Sequence, residues 1–192
     1  MFKNQIKPAI FMFLILTIVT GIIYPLVITG IAQLVFSEKA NGSIIYKDGK
    51  PIGSKFIGQS FDDPKYFWGR LSATTPAYNA ASSSGSNLGP LNPQLINNVK
   101  ARVKALTISD PDNKNPIPVD LVTSSASGLD PHISVAGAMY QIGRVVRLQG
   151  IREETLKSIV KKHTCGRFLG LIGEPVVNVL ELNLELNENR MK

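Results

Sequence analysis

The chain has 192 residues, 44% of them hydrophobic, and carries 21 Lys and Arg against 14 Asp and Glu for a net charge of +7. That length leaves room for one modest soluble domain beside an anchor, and the scattered basic charges, without an aromatic-basic repeat, argue against nucleic acid as a partner. The single cysteine, Cys165, excludes an intrachain disulfide framework, and His132 and His163, far apart and without a cysteine pair, give no metal cluster.

Residues 8–37, PAIFMFLILTIVTGIIYPLVITGIAQLVFS, contain no charge. As a helix this run reaches about 45 Å, more than the roughly 30 Å hydrocarbon core of a bilayer. It is about twice as long as a signal-peptide core and lacks an A-x-A site. A helix buried in a soluble core does not stay apolar on all sides for so long. Pro25 removes a helix hydrogen bond and is expected to bend the span. Tyr24, Thr29 and Gln33 are expected to face other membrane helices rather than lipid. Lys3 and Lys7 lie on a short tail, which favours the cytoplasm, whereas a long following domain is exported regardless of charge. The expected organisation is a cytoplasmic tail (1–7), one transmembrane helix (8–37) and an extracytoplasmic soluble domain (38–192), in a bacterial plasma membrane with the bilayer as one partner.

Residues 42–60 read as a β-hairpin: Ile44, Ile45 and Tyr46 run out, Asp48-Gly49 turns, and Phe56-Ile57 returns. Phe61, Tyr66, Phe67 and Trp68 then cluster before a stretch, 72–93, rich in Ser, Gly, Asn and Pro. So long a segment without regular structure is functional or disordered, and the adjacent aromatics favour a loop held down on its own domain or a partner. A helix follows from Asn92-Pro93, with Leu95, Val99, Val103 and Leu106 on one stripe. Residues 110–118 break it. Val119, Leu121 and Val122 suggest a short strand. Ser134 can cap a helix over 135–149, its stripe Val135, Ala138, Met139, Ile142, Val145 and Val146, with Gly150 ending it. Another helix covers 152–163, with Leu156, Ile159 and Val160 inward and Glu153 and Glu154 at its positive end. In 173–187, Val177, Val179, Leu180, Leu182, Leu184 and Leu186 alternate with polar residues apart from one slip at 179–180, predicting a strand with a bulge. The fold class is α+β: one N-terminal transmembrane helix, then a single soluble domain with a small, mainly antiparallel sheet and about three helices.

Little in this pattern carries chemistry. Ser82 to Ser86 offer hydroxyls without a G-x-S-x-G elbow. A membrane-anchored extracytoplasmic hydrolase would have to combine one of them with Asp130 and His132; the bland reading of Asp130-Pro131-His132 is a loop hydrogen bond. There is no G-x-x-x-x-G-K-[ST] loop. The Ser-Gly loop 124–128 precedes a helix start, where N–H groups can hold an anion. Arg144 and Arg147 share a helical face, to bind a carboxylate or to meet solvent. An anchored binding protein is a further alternative.

Seven strings in order, YPLVITGIAQLVF (24–36), ANGSII (40–45), IGQSF (57–61), YFWGRLSAT (66–74), YN with SSGSNLGPLNP (78–93), PVDLVTSSASGLDPHIS (118–134) and GEPVVNVLELNLEL (173–186), give the chain a resemblance over essentially its whole length. It resembles the C subunits of Kdp-type bacterial potassium-transporting P-type ATPases. It departs from them at Leu71, where a proline is expected, and at Arg152, where a capping Ser or Thr is more usual. The resemblance implies a subunit with no catalytic residues and no metal, in a complex that couples ATP hydrolysis to K+ import. Its implied partners are a channel-like subunit that binds potassium and a P-type subunit that hydrolyses ATP. Such C subunits are described as catalytic chaperones that raise the pump subunit's affinity for ATP. No tightly bound cofactor is implied; ATP, shared with the pump subunit, is assigned to Gln141, Ser127 and Gly128. Tyr24, Pro25, Gln33, Phe67, Trp68, Arg70, Asn79, Ser84, Gly85 and Asn87 are assigned to partner contacts. An exported domain cannot meet cytoplasmic ATP, so the charge rule and direct contact by Gln141 pull in opposite directions; an outside domain could instead cap the channel-like subunit and stabilise the assembly.

Overall fold

The computed structural model describes residues 3–190 and divides into two units, Met1–Ile44 and Ile45–Lys192. In the first unit, α1 (Lys3–Ile18), a π-helical turn (Val19–Ile23) and α2 (Tyr24–Val35) form one apolar helix. An 18-residue stretch within its span Asn4–Val35 reaches a mean hydropathy of 2.5, and none of that stretch is buried within the chain. The irregularity expected at Pro25 lies one turn earlier. Tyr24 N–H reaches back five residues to the Val19 carbonyl, so the helix widens just where Pro25 withholds its own donor. A short α3 (Ser37–Ala40) follows, and there the Gln33 and Asn41 carboxamides bond each other at 3.2 and 3.1 Å.

A two-stranded hairpin follows, β1 (Ile44–Lys47) and β2 (Lys50–Ser54). Asp48 and Gly49 both take positive φ, +50° and +73°, as the turn demands. The return comes directly after this turn, earlier than the Phe56-Ile57 expected from hydrophobicity. Residues 55–92 contain no helix or named strand. Then α4 (Pro93–Ser109) starts where its signals place it, with Asn92 Oδ1 accepting the Gln94 N–H at 2.8 Å.

Val119–Leu121 is a single 3-10 turn rather than the expected strand. It sends Leu121 into the core and frees the Asp120 carboxylate to meet Ser134. β3 (His132–Ser134) leads into α5 (Val135–Gln149), capped by Ser134 and closed by Gly150 at φ +68°. α6 (Glu153–Lys162) and β4 (Thr164–Cys165) follow. β5 (Val176–Asn178) lies between β3 and β4 in an antiparallel sheet, with Ile133 opposite Val177 and Thr164 opposite Val177 on the other side.

The closing segment corrects the sequence reading. After three residues of strand the chain turns into α7 (Val179–Arg190). Asn178 Oδ1 accepts the Glu181 N–H at 3.1 Å and starts the helix. The slip at 179–180 is therefore the boundary between two periods, not a bulge. Val179, Leu182, Asn183 and Leu186 are all buried, and their spacing of three and four is helical. Phe67, Leu106, Leu121, Ile133, Leu156, Val177, Leu182 and Leu186 form the centre of the core, each contributing about 1.5–3 kcal/mol by burial.

Candidate functional site

The irregular segment 58–91 is fastened to the core by polar side chains placed inside apolar helix stripes. Gln141 sits on α5 among Ala138, Ile142 and Val145 and is 1% exposed. Its Oε1 accepts the Trp68 N–H at 2.8 Å, and its Nε2 donates to the Trp68 carbonyl at 3.1 Å. On α7, Asn183 treats the preceding residue the same way: Oδ1 accepts from Phe67 N–H and Nδ2 donates to Phe67 O, both at 2.9 Å. Two carboxamides thus pair the backbone of two successive residues, as a neighbouring strand would. Arg144 completes the clamp. Its Nη1 donates to the carbonyls of Pro64 and Tyr66, and its Nη2 donates to Gln141 Oε1 at 2.6 Å.

Two guanidinium groups lie over the Trp68 ring. The Arg102 and Arg144 carbons each lie 4.9 Å from a ring centroid of the indole, a cation–π arrangement favoured away from water. Arg102, from α4, donates onward to Leu121 O at 3.0 Å and Gly69 O at 2.8 Å. Burial lowers both arginines, Arg144 to about 10, so both remain charged at neutral pH.

Beyond Trp68 the loop organises itself around hydroxyls. Ser72 Oγ donates to Gly128 O at 2.6 Å and accepts the Tyr78 N–H at 2.9 Å. Tyr78 OH donates to Arg70 O at 2.6 Å, and burial raises its pKa. Ser84 N–H and Ser83 Oγ both donate to Ser127 O, at 2.9 and 3.1 Å. The two Ser/Gly loops therefore pack on each other. A Cβ on Gly85 would fall 2.7 Å from Ala126 O, and one on Gly128 would fall 2.6 Å from Ser84 O. A cleft of about 390 Å³ lies between this loop and α4, lined by Leu71, Ala73, Leu88, Leu95, Ala101 and Arg102 among others.

Arg70 reaches Asp130 Oδ2 at 3.4 Å and Ser124 O at 3.0 Å. Asp130 Oδ1 accepts the His132 N–H and faces His132 Nδ1, each at 3.0 Å. Burial works to raise the Asp130 carboxyl, but the hydrogen bonds from His132, helped by Arg70, hold it below its ordinary value. A carboxyl depressed by folding contributes stability that is full above its unfolded pKa, about 3.9, and is lost as pH falls through the folded value. Stability should therefore drop in acid below about pH 4. Asp130→Asn should reduce that slope, leaving the part due to Glu185, which Lys162 and His163 also hold low against burial. Chemical denaturation across that pH range measures it, and identical slopes in variant and parent would refute the assignment.

The residues assigned from sequence are not gathered at one site. Phe67 and Trp68 are 0% and 6% exposed; they anchor the loop to its own core, so the reading that they meet a partner is corrected. Arg70 and Asn79 are half-buried, Gly85 is half-buried against Ala126, and Ser84 and Asn87 are exposed along the outer edge of the loop. Tyr24, Pro25 and Gln33 lie exposed on the apolar helix. Gln141, Ser127 and Gly128 are bonded to different parts of the loop. Gln141 is committed to Trp68, and Ser127 and Gly128 hold the Ser/Gly loops. The helix start expected to attract an anion, α5, is met by the chain's own Asp120, whose carboxylate accepts from Ser134 N–H at 2.6 Å and Ser134 Oγ at 3.0 Å. Arg144 is buried, not solvated, whereas Arg147 does bind a carboxylate, Asp110, at 2.8 Å. The hydroxyls of Ser83 and Ser84 are spent on the carbonyls of Ser127 and Gly85. Among the described residues no group of three or more His, Cys, Asp or Glu is placed to hold a metal ion. The clamp residues Gln141, Arg144 and Asn183 were missed as such; the available signal was a polar residue inside an apolar stripe.

Comparison with known proteins settles the kinship. The family described as "K+-transporting ATPase, c chain" matches residues 6–188. A potassium-transporting ATPase KdpC subunit of Dechloromonas aromatica is 58% identical over 96% of this chain and 97% of its own. Those of Methylococcus capsulatus and Ralstonia nicotianae are 56% and 57% identical, over 97% and 95% of this chain and 99% and 90% of theirs. Matched almost from end to end, this chain belongs to the KdpC family, the c chain of K+-transporting ATPases.

Proposed function

We propose that the chain is a non-catalytic accessory subunit that crosses the membrane once, N-terminus inside, and uses its outside domain to assemble and stabilise the transporter. Its partners in this reading are the potassium-binding channel-like subunit and the ATP-hydrolysing P-type subunit. The observation that carries it is the clamp on Phe67 and Trp68. Buried side chains from α5 and α7, with the half-buried Arg102 of α4, fix a segment of more than thirty residues that has little apolar anchorage of its own. Ordering a loop this long costs conformational entropy of about 1–2 kcal/mol per residue. Held rigid, its exposed edge at Ser84 and Asn87 offers a partner a preformed surface, with no ordering left to be done on binding.

Any gain in the pump subunit's affinity for ATP is, in this reading, exerted through assembly. The Gln141 amide already has backbone partners at both ends, and nucleotide contact would require breaking them. Removing residues 1–37 should abolish co-purification with the other subunits, because the apolar helix is both the anchor and a packing surface. A fragment lacking the helix that still assembles fully would refute this.

A further inference from the structure

The strand pair β4–β5 is joined by a protruding loop whose tip, Phe168-Leu169-Gly170-Leu171-Ile172-Gly173, contains no polar side chain. Its four large residues are 68%, 78%, 82% and 66% exposed. In the second unit most other strongly exposed apolar residues, such as Leu91 and Ile108, stand far apart in sequence. We propose that this tip inserts into the headgroup–acyl boundary of the bilayer that the chain's own anchor enters.

The backbone is already arranged for that solvent. Phe168 and Ile172 exchange N–H to O=C bonds at 2.8 and 3.0 Å. Gly170 N–H donates to Arg167 O and Leu171 N–H to Phe168 O, both at 3.1 Å. Four of the six N–H groups of 168–173 are thus satisfied inside the loop, which lipid requires and water does not. Leu169 and Gly170 take φ of +52° and +75° to close the turn. A protein partner would ordinarily be specified by hydrogen bonds, about one per 100–200 Å² of interface; this tip has no side chain to make one.

The charges fit an anionic lipid surface. Residues 161–174 hold Lys161, Lys162 and Arg167 against Glu174, with Lys162 paired to Glu185 at 2.8 Å. Arg167 and Glu174 close the base of the tip, with Arg167 Nη2 3.0 Å from both carboxylate oxygens. Eight residues, 36–43, separate α2 from β1, and even fully extended they span no more than about 28 Å. Apolar insertion and basic flanks reinforce each other when binding is tethered in this way.

The test uses the full-length chain in phosphatidylcholine vesicles containing phosphatidylglycerol. With Cys165→Ser as background, Leu171→Cys carries a polarity-sensitive fluorophore, and Lys104→Cys on α4 carries the same probe as reference. The probe at 171 should emit to the blue and be shielded from an aqueous quencher roughly tenfold more than the probe at 104. A photo-cross-linker at Phe168 in the assembled transporter, in membranes, should attach to lipid. Equal quenching at 171 and 104, or a cross-link from Phe168 to another protein subunit, overturns the proposal; the latter would make the tip a protein-docking element.

Discussion

Replacing Arg144 by methionine should destabilise the second unit by about 3–4 kcal/mol and expose the 76–90 loop to protease. Methionine keeps most of the volume and the apolar contacts, so the loss reports on the guanidinium. The carbonyls of Pro64 and Tyr66 lose their donor, and Gln141 Oε1 keeps only the Trp68 N–H. Each unsatisfied buried acceptor costs about 1–3 kcal/mol. The face of Trp68 also loses one of its two cations, worth about 1 kcal/mol. Against this, the variant no longer desolvates a charge, which returns part of the cost and keeps the sum below a simple addition. For a domain of this size the midpoint of thermal unfolding should fall by roughly 10 °C. Arg144→Lys should recover only a minor part, because an ammonium cannot reach three acceptors from one plane or stack on the indole. A methionine variant within about 1 kcal/mol of the parent would show that water satisfies those carbonyls and that the clamp does not hold the loop.

The same residues explain what the sequence could and could not reveal. The boundaries of α4 and α5 were legible because each carries its own stop and start chemistry, Asn92-Pro93 for one and Ser134 with Gly150 for the other. The last segment was misread because Leu180, Leu182, Leu184 and Leu186 fit an alternating pattern. Only the polar Asn183, buried between Leu182 and Leu186, belongs to the helical period and breaks the strand one. β3 and β4, three and two residues long, are too short for any periodicity. The Ser/Gly loop was legible as ordered but its fastening was not. Hydrogen bonds between distant residues leave no spacing in the sequence: Gln141 and Trp68 are 73 positions apart, Asn183 and Phe67 116. What sequence does show is a glutamine or asparagine on a stripe otherwise apolar. Such a residue must find buried partners, and the segment with the most backbone to satisfy and the least apolar surface is where they lie.

Gly128→Ala should cost about 2–4 kcal/mol, whereas Gly150→Ala should cost only about 1. The two glycines share nearly the same backbone, φ +69° and +68°, so an added Cβ pays the same left-handed penalty at each, about 1–2 kcal/mol at most. Their surroundings differ. At Gly150 nothing lies within 4 Å of the new atom. At Gly128 it would sit 2.6 Å from the Ser84 carbonyl oxygen and 2.7 Å from Thr74 Cγ2. The first is backbone and cannot rotate away, so the loops around Ser84 and Ser127 must separate. That separation stretches the Ser84 N–H bond to Ser127 O and the Ser72 bond to Gly128 O, 2.9 and 2.6 Å long in the intact protein. The difference between the two variants, read by denaturant unfolding, therefore isolates the loop contact from the backbone term. Proteolysis within 76–90 should accelerate in the Gly128 variant alone. If both variants lose equal stability, the two loops can part without cost, and the rigid surface on which the assembly role depends is not there.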